Sequence, residues 1–263
     1  MRALAVFPLR TPVIGKGNQR FNPIHATDLA LVIADCLARP PGPGPWEVGG
    51  SETCTQAEII ASIRRWLGLS PQRLLRLPVP FVRQLGRAGD LLRLGPISAT
   101  SVAQLSAGVH ASHLAILEKT CVRPRGFSEF LMARPAGTQD LWQARLYLMK
   151  PLVRLTLGLM WLCSGLLGLF LPPDAFPALP LPGAALALMA RAGGIVDLGR
   201  ALGLFLNWRP RLTGWCQLAL VGIYTLGLSF LAPDLWLAPF GELLKNLPVL
   251  ALIGIHIALA EER

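Results

Sequence analysis

Residues 152–171 read LVRLTLGLMWLCSGLLGLFL, a run in which Arg154 is the only charged side chain. An α-helix rises 1.5 Å per residue, so about 20 residues span the hydrocarbon core of a bilayer, which is roughly 30 Å thick. Three further apolar stretches follow, at 183–206, 212–231 and 239–260. A soluble helical bundle would normally keep a polar stripe on every helix. The rear of the chain therefore predicts four membrane-crossing helices.

The charge balance changes along the chain. Residues 1–145 carry 17 Lys or Arg against 9 Asp or Glu, whereas residues 146–263 carry 8 against 6. The basic front has ordinary composition, and the rear holds the four apolar stretches. We predict two domains, a cytoplasmic one over 1–145 and a four-helix transmembrane one over 146–263.

Basic residues between the apolar stretches predict the orientation. Lys and Arg precede the first stretch, occur twice between the second and third, and stand at residue 263, whereas the loops at 172–182 and 232–239 have neither. Cationic loops remain on the cytoplasmic side of a membrane. We therefore expect a multi-pass protein of the bacterial inner membrane with both termini in the cytoplasm.

Polar side chains fall within or beside the predicted crossings. A charge at the centre of a bilayer costs about 2.5 to 3.5 kcal/mol on insertion scales, so these side chains should face the bundle interior and pair. Their depths predict an outer layer, in which Arg191 meets Glu242, and an inner layer around Asp197. The candidate cluster comprises Arg191, Asp197, Arg200, Gln217, Tyr224, Glu242, Lys245 and His256.

Two interpretations of this cluster stay open. In the first, ion pairs and hydrogen bonds clamp the four helices together, and Asp197 and Arg200, three residues apart, neutralise each other. In the second, the cluster binds a quinone-like head group or relays protons. No second histidine lies near His256 in the predicted crossings, so we expect neither a haem nor a metal site there. The five cysteines form no C-x-x-C pair, which argues against zinc and against a disulfide framework.

The beginning of the chain predicts a strand and a helix. Residues 2–7, RALAVF, suit a buried strand, and the segment IHATDLALVIADCLA suits a helix over about 28–39. Thr27 or Asp28 can cap this helix, since a short side-chain oxygen satisfies the free amides of the first turn.

A second helix should begin after Thr55. Glu58 follows three residues later, which is the spacing of a capping box, and Gly68 should end the helix. Apolar residues recur at helical spacing and predict its buried face: Ile59, Ile60, Ile63 and Leu67.

The segment 79–95, VPFVRQLGRAGDLLRLG, predicts a third, amphipathic helix. Its helical spacing places two arginines and Asp90 on one face and apolar residues on another. One interpretation is a surface helix of a soluble domain, and the other is a basic interfacial helix that lies on anionic lipid. No recognition motif accompanies the arginines of the front, so we expect no nucleic-acid partner.

Two segments of the front resemble a known family. They are GKGNQRFNPIHATDLALVIADCL and WEVGGSETCTQAEIIASIRRWLG. Both are similar to the C-terminal part of the atypical, extended short-chain dehydrogenases, the NAD-dependent epimerase and NmrA-like group. The positions that match its motifs are His25, Asp28, Gly49, Gly50, Thr55 and Glu58. The resemblance implies an incomplete α/β Rossmann-type C-terminal subdomain, in which Asp28 is a helix cap and His25 positions the neighbouring loop.

The family's catalytic machinery has no counterpart in the sequence. The resemblance would imply a G-x-G-x-x-G turn and a Tyr-x-x-x-Lys pair, but GKGN lacks that glycine spacing and Tyr147 is followed by Pro151 where lysine should stand. We therefore expect no catalytic, cofactor-binding or metal residues in this chain and no reaction by the chain alone. NAD(P) enters only if an N-terminal Rossmann half is supplied, which would complete an oxidoreductase or epimerase anchored to the membrane. The chain is then a truncated gene model, one part of a split protein or a degenerate descendant.

The rear of the chain is similar to a second family. Three blocks, in order over about 146–260, resemble the DoxX-like membrane domain, which occurs fused behind such dehydrogenase-like domains. DoxX and DoxD relatives are small four-helix membrane proteins linked to quinone-coupled thiosulfate oxidation and to oxidative-stress complexes. The resemblance makes a quinone the remaining candidate cofactor and a quinone-linked redox subunit an alternative function. The expected partners are the lipid bilayer and either a separate Rossmann half or a second copy of the chain.

Overall fold

The structure is a computed structural model, and it describes residues 1–95, 97–112, 117–172, 175, 182–237 and 241–260. It is mostly helical and divides into two compact units, residues 1–148 and 149–263. We call them the front unit and the rear unit.

The front unit alternates short strands and helices. Its elements are α1 (Arg2–Ala5), β1 (Thr11–Ile14), β2 (Arg20–Phe21), α2 (Ala26–Ala38), β3 (Cys54–Thr55), α3 (Gln56–Trp66), β4 (Leu74–Leu77), α4 (Val79–Leu91), α5 (Ala99–Ala107) and α6 (Phe127–Met132). β1 pairs in parallel with β4, and β2 pairs antiparallel with β3. Because the described sheets have two strands each, the Rossmann-type subdomain stays a prediction.

Helix α3 forms as its sequence predicts and supplies much of the front core. Thr55 and Glu58 make the reciprocal capping box, with the Glu58 amide donating to Thr55 Oγ1 at 3.2 Å. Its four predicted core residues are all buried. Gly68 ends the helix with a φ of +73°, which glycine adopts without steric cost.

Two expectations for the beginning of the chain are wrong. Residues 2–5 form helix α1 rather than a strand, and α1 packs against α3 with Ala3 and Ala5 buried. Ala and Leu are strong helix formers, and β1 takes its strand partner from β4 instead. The cap of α2 also differs from the expected Thr27 or Asp28. The helix begins at Ala26, and its N-cap is His25, whose Nδ1 accepts from the Thr27 amide at 3.2 Å.

The rear unit is built from long apolar helices. They are α7 (Thr138–Phe170), whose first residues belong to the front unit, α8 (Gly183–Phe205), α9 (Pro210–Leu231) and α10 (Asn246–Leu259), with a short 3-10 turn at Pro233–Trp236. Among the described residues, α7 and α9 are long and apolar enough to cross a membrane. Only 33% of the apolar part of α7 and 17% of that of α9 are buried, whereas the core helix of a soluble protein would be mostly buried. These exposed apolar surfaces favour a membrane.

The second and fourth predicted crossings differ from these two helices. Helix α8 has 23 residues but holds three charged side chains, at 191, 197 and 200. Helix α10 has 14 residues and so spans only about 21 Å. It begins seven residues later than the predicted stretch, after Gly241 with a φ of +57°, and Glu242 and Lys245 precede it. The four-crossing bundle stays a prediction.

Helices α7 and α8 approach each other at glycines. A Cβ atom at Gly194 would lie 2.8 Å from the carbonyl oxygen of Gly165, and one at Gly168 would lie 2.8 Å from that of Ala190. Small residues at such positions let two apolar helices bring their backbones together. Gly168 and Gly194 also line the pocket described next.

Candidate ligand pocket in the rear unit

A pocket of about 520 Å³ lies among the helices of the rear unit. Its apolar wall comes largely from leucines, three of them in α7, α8 and α9 and three in the segments that follow α7 and α9. Five polar side chains also line it: Ser164, Asp197, Tyr224, Glu242 and Asn246. A mostly apolar cavity of this size with a few convergent polar groups is typical of a small-molecule site.

Asp197 is the most constrained of these polar groups. Its residue is only 5% exposed, and its Oδ2 accepts a hydrogen bond from Ser164 Oγ at 2.6 Å. Its Oδ1 is buried and has no hydrogen-bond partner in the described part of the chain. A buried acceptor without a donor is unfavourable by about 1 to 3 kcal/mol. A molecule in the pocket that donates a hydrogen bond to Oδ1 would remove this penalty.

Tyr224 and Asn246 supply polar groups from other elements. The hydroxyl of Tyr224 lies beside α8, 3.5 Å from where a Cβ atom of Gly193 would stand. Asn246 Nδ2 donates to Thr225 Oγ1 at 2.8 Å, which fixes the amide at the beginning of α10. The pocket thus offers the carboxylate of Asp197 as an acceptor and the phenol of Tyr224 as a donor or an acceptor.

The structure brings three of the predicted cluster residues into the pocket, namely Asp197, Tyr224 and Glu242. Arg191 does not pair with Glu242, contrary to our expectation. Its Nη1 donates to the carbonyl oxygen of Gly168 at 2.9 Å and to that of Leu169. These carbonyls belong to the last turn of α7, where no helical amide satisfies them, so a cation is favoured there.

The other cluster residues lie outside the pocket lining. Gln217 is fully buried, and its Oε1 accepts from Trp161 Nε1 at 2.7 Å, which joins α9 to α7. His256 is buried on α10, close to Gly214 of α9. Lys245 is exposed, and the structure describes no ion pair between Asp197 and Arg200. The contacts of Gln217 fit the clamping interpretation, whereas Asp197 and Tyr224 fit the binding interpretation.

Two pocket residues were missed by the sequence reasoning. Ser164 is one of two hydroxyl residues, with Thr156, in the apolar run 152–171, and Asn246 stands at the beginning of α10. A hydroxyl in a predicted crossing is a signal, but the sequence does not distinguish Ser164 from Thr156. No sequence signal links Asn246 to Asp197, because only the arrangement of the helices brings both to one cavity.

In the front unit, Asp28 makes a long-range ion pair. Its carboxylate accepts from the Arg125 amide at 2.9 Å and from Arg125 Nη2 at 2.7 Å, and its side chain is only 7% exposed. The hydrogen bonds from Arg125 hold the pKa of Asp28 below its usual value. We expected Asp28 to cap α2. Instead, its carboxylate connects α2 to the segment before α6.

The paired glycines serve close backbone contacts. A Cβ atom at Gly50 would lie 2.0 Å from the Pro23 carbonyl oxygen, and one at Gly49 would lie 2.1 Å from Asn22 Nδ2. Asn22 Nδ2 in turn donates to the Ala111 carbonyl at 2.6 Å. These contacts explain both glycines by the packing of the front unit.

Cys54 and Glu52 of the front unit offer little chemistry. Burial, with the neighbouring Glu52, raises the pKa of Cys54 to about 11, so its thiol stays protonated at neutral pH. Glu52 accepts from the Ser128 amide at 2.7 Å and from Ser128 Oγ at 2.9 Å. Within the described ranges, no group of three or more His, Cys, Asp or Glu could hold a metal ion.

Comparison with known proteins bears on the rear unit. The model of the DoxX-like family matches residues 158–254, a range that contains every polar side chain of the pocket. No curated protein matches the chain. The family match and the two exposed apolar helices together indicate a membrane protein. Residues 158–254 are therefore similar to the DoxX-like family.

Proposed function

We propose that the chain is a multi-pass protein of the bacterial inner membrane whose DoxX-like domain binds a small amphipathic ligand in the pocket around Asp197. The front unit is then a dehydrogenase-like cytoplasmic cap that catalyses no reaction alone. The observation that carries this proposal is Asp197, which lines this mostly apolar pocket and whose buried Oδ1 has no hydrogen-bond donor among the described residues.

An arrangement of four crossings, with both termini in the cytoplasm, accounts both for the basic loops and for the contacts of the charged side chains in the helices. In this arrangement α8 crosses beside α7, and two of its three charged side chains contact protein: Asp197 contacts Ser164, and Arg191 contacts the last turn of α7. A polar side chain in a membrane is tolerated where another protein group satisfies it. The short α10 then crosses together with the segment before it.

The dehydrogenase-like origin of the front unit is supported by the contact between its two motif segments. β2 follows the glycine-rich loop and β3 follows the paired glycines, and these strands pair, with Arg20 opposite Thr55. The Gly50 amide also donates to the Asn22 carbonyl at 3.0 Å. The described contacts of His25 and Asp28 are made within the front unit, which favours structural roles for both residues.

The pocket suits a quinol head group best. A phenolic hydroxyl of the ligand would donate to Asp197 Oδ1, and a second ring oxygen would meet Tyr224. The apolar remainder of the ligand would lie along Leu167, Leu171 and Met189. A quinone-linked redox subunit is the second candidate function, and it requires an electron donor on another protein.

The membrane assignment predicts resistance to alkaline extraction. After a wash with alkaline carbonate and ultracentrifugation, the intact chain should stay in the membrane pellet and leave it only with detergent, because α7 and α9 expose apolar surface along their length. A soluble helical protein of the same host serves as the control. Recovery of the chain in the detergent-free supernatant would overturn the assignment.

The ligand assignment predicts a graded loss of quinol affinity at position 197. A short-chain ubiquinol should quench the tryptophan fluorescence of the purified protein, and Asp197→Asn should raise its Kd about tenfold, since a neutral acceptor replaces a charged one. Asp197→Leu removes the acceptor and should raise the Kd about a hundredfold.

Lys245→Gln is the control, because it removes an exposed charge of the rear unit outside the pocket lining. Its Kd should stay within about twofold of the wild-type value. Equal affinities of the wild type and Asp197→Leu, with helicity retained by circular dichroism, would refute binding at Asp197.

A further inference from the structure

Helix α4 of the front unit contacts its neighbour through residues that have almost no side chain. A Cβ atom at Gly89 would lie 1.8 Å from the Ile97 carbonyl oxygen, and one at Gly86 would lie 3.0 Å from Ala99 Cα. Val82 is buried on the same side. The buried face of α4 is thus made of one valine and two glycines, which bring its backbone against the beginning of α5.

The large apolar side chains of α4 lie on the outside. Phe81 is 57% exposed and Leu85 is 40% exposed, and their spacing of four residues puts them on one side of the helix. Leu91 at the end of the helix is 79% exposed. Helices of soluble proteins usually bury such residues, so an exposed row of them marks a surface that meets another apolar phase.

The same segment is strongly basic. Arg73 and Arg76 in and beside β4, and Arg83 and Arg87 in α4, are all exposed, and the described residues give none of these four side chains an ion pair or hydrogen bond. Asp90 is the one acidic residue in the sequence from 73 to 95, and it is engaged, since its Oδ2 accepts from the Ala99 amide at 3.0 Å. Residues 73–91 therefore present apolar groups beside four arginines and one aspartate, an excess of three positive charges.

We propose that this segment, residues 73–91, docks the front unit onto the anionic lipid surface of the membrane. An interfacial helix inserts its apolar side chains about 5 to 10 Å into the boundary between headgroups and acyl chains while its cations meet lipid phosphates. A second copy of this surface is a poorer occupant, because it would bring four arginines against four arginines. The inference concerns the front unit and is independent of the ligand proposed for the rear unit.

The test compares exchange of backbone amides in two lipid environments. The full-length protein is reconstituted as one copy per nanodisc, in phosphatidylcholine alone or with about one third phosphatidylglycerol. Docking predicts that amides of α4 exchange more slowly in the anionic discs, whereas amides of α3 exchange equally in both. High salt should abolish the difference, because it screens the attraction.

Charge variants identify the residues responsible. Each basic side chain at an anionic surface contributes about a fivefold factor, so Arg83→Gln with Arg87→Gln should weaken docking about thirtyfold and remove the protection. The pair Arg73→Gln with Arg76→Gln should act in the same direction. The control pair Arg20→Gln with Arg123→Gln removes the same net charge from other exposed positions and should keep the protection.

Three outcomes would overturn the proposal. The first is equal α4 exchange of the wild type in both lipids. The second is equal loss of protection in the control pair, which would show a response to net charge alone. The third is protection that appears only with two copies per disc, which would identify a second copy as the occupant.

Discussion

Replacing Asp28 with alanine should destabilise the front unit by about 2 kcal/mol, because the carboxylate that accepts the hydrogen bonds of Arg125 would be lost. The Asp28 side chain is 7% exposed, whereas that of Arg125 is 39% exposed and stays hydrated after the change, so the expected loss is smaller than for a fully buried pair. Proteolysis of the full-length protein in detergent, followed over a series of urea concentrations, measures this unfolding free energy.

A double-mutant cycle tests whether the loss belongs to the ion pair. Once Arg125 is already alanine, the further change of Asp28 should remove far less stability than it does in the wild type, since no charge is left unpaired. Additive effects of the two changes would show that Asp28 acts through some other contact, and the assignment of this pair would fail.

The same pair makes stability depend on pH in a defined direction. The pKa of Asp28 is lowered in the folded chain, so its contribution is fully present above the unfolded value of about 4. It is lost as the pH falls through the lower folded value. The wild type should therefore lose its advantage over Asp28→Ala in acid, and the two unfolding free energies should approach each other as the pH falls below the folded value.

Contacts between residues close in sequence could be predicted, whereas contacts between distant residues could not. The Thr55 and Glu58 capping box and the buried face of α3 were predicted, since their partners lie within one helix. The role of Asp28 was not, because Arg125 stands 97 residues further along the chain. A carboxylate near a helix start is a usual cap, and the distant arginine is not visible in a local pattern.

The rear unit shows the same limit. The apolar runs of α7 and α9 predicted long helices, and Asp197 was expected to face protein because a charge in lipid is unfavourable. Its expected partner was Arg200 on the same helix, whereas the structure shows a hydrogen bond from Ser164 on another helix. A hydrophobic pattern fixes which face of a helix is polar, but side-chain packing decides which helices meet and where.

The second large effect is expected where α7 and α8 meet. Gly194→Leu should destabilise the rear unit by about 3 kcal/mol or more, since even the first carbon of a side chain would lie 2.8 Å from the Gly165 carbonyl oxygen and 3.1 Å from the backbone nitrogen of Leu169. Backbone atoms of a helix cannot turn aside as a side chain can, so the helices must separate. Gly194→Ala should show a smaller loss of about 1 to 3 kcal/mol.

Gly199 on the same helix provides the matched control. A Cβ atom there meets nothing within 4 Å, so Gly199→Ala should be neutral or stabilise α8 by up to about 1 kcal/mol through helix propensity, and Gly199→Leu should be tolerated. Titration with sodium dodecyl sulfate, followed by tryptophan fluorescence of the detergent-solubilised protein, measures all four variants. Because Gly194 and Gly168 also line the pocket, Gly194→Leu should lose quinol binding while Gly199→Leu keeps it. Equal resistance of the two leucine variants to the detergent would show that α7 and α8 do not meet at these glycines.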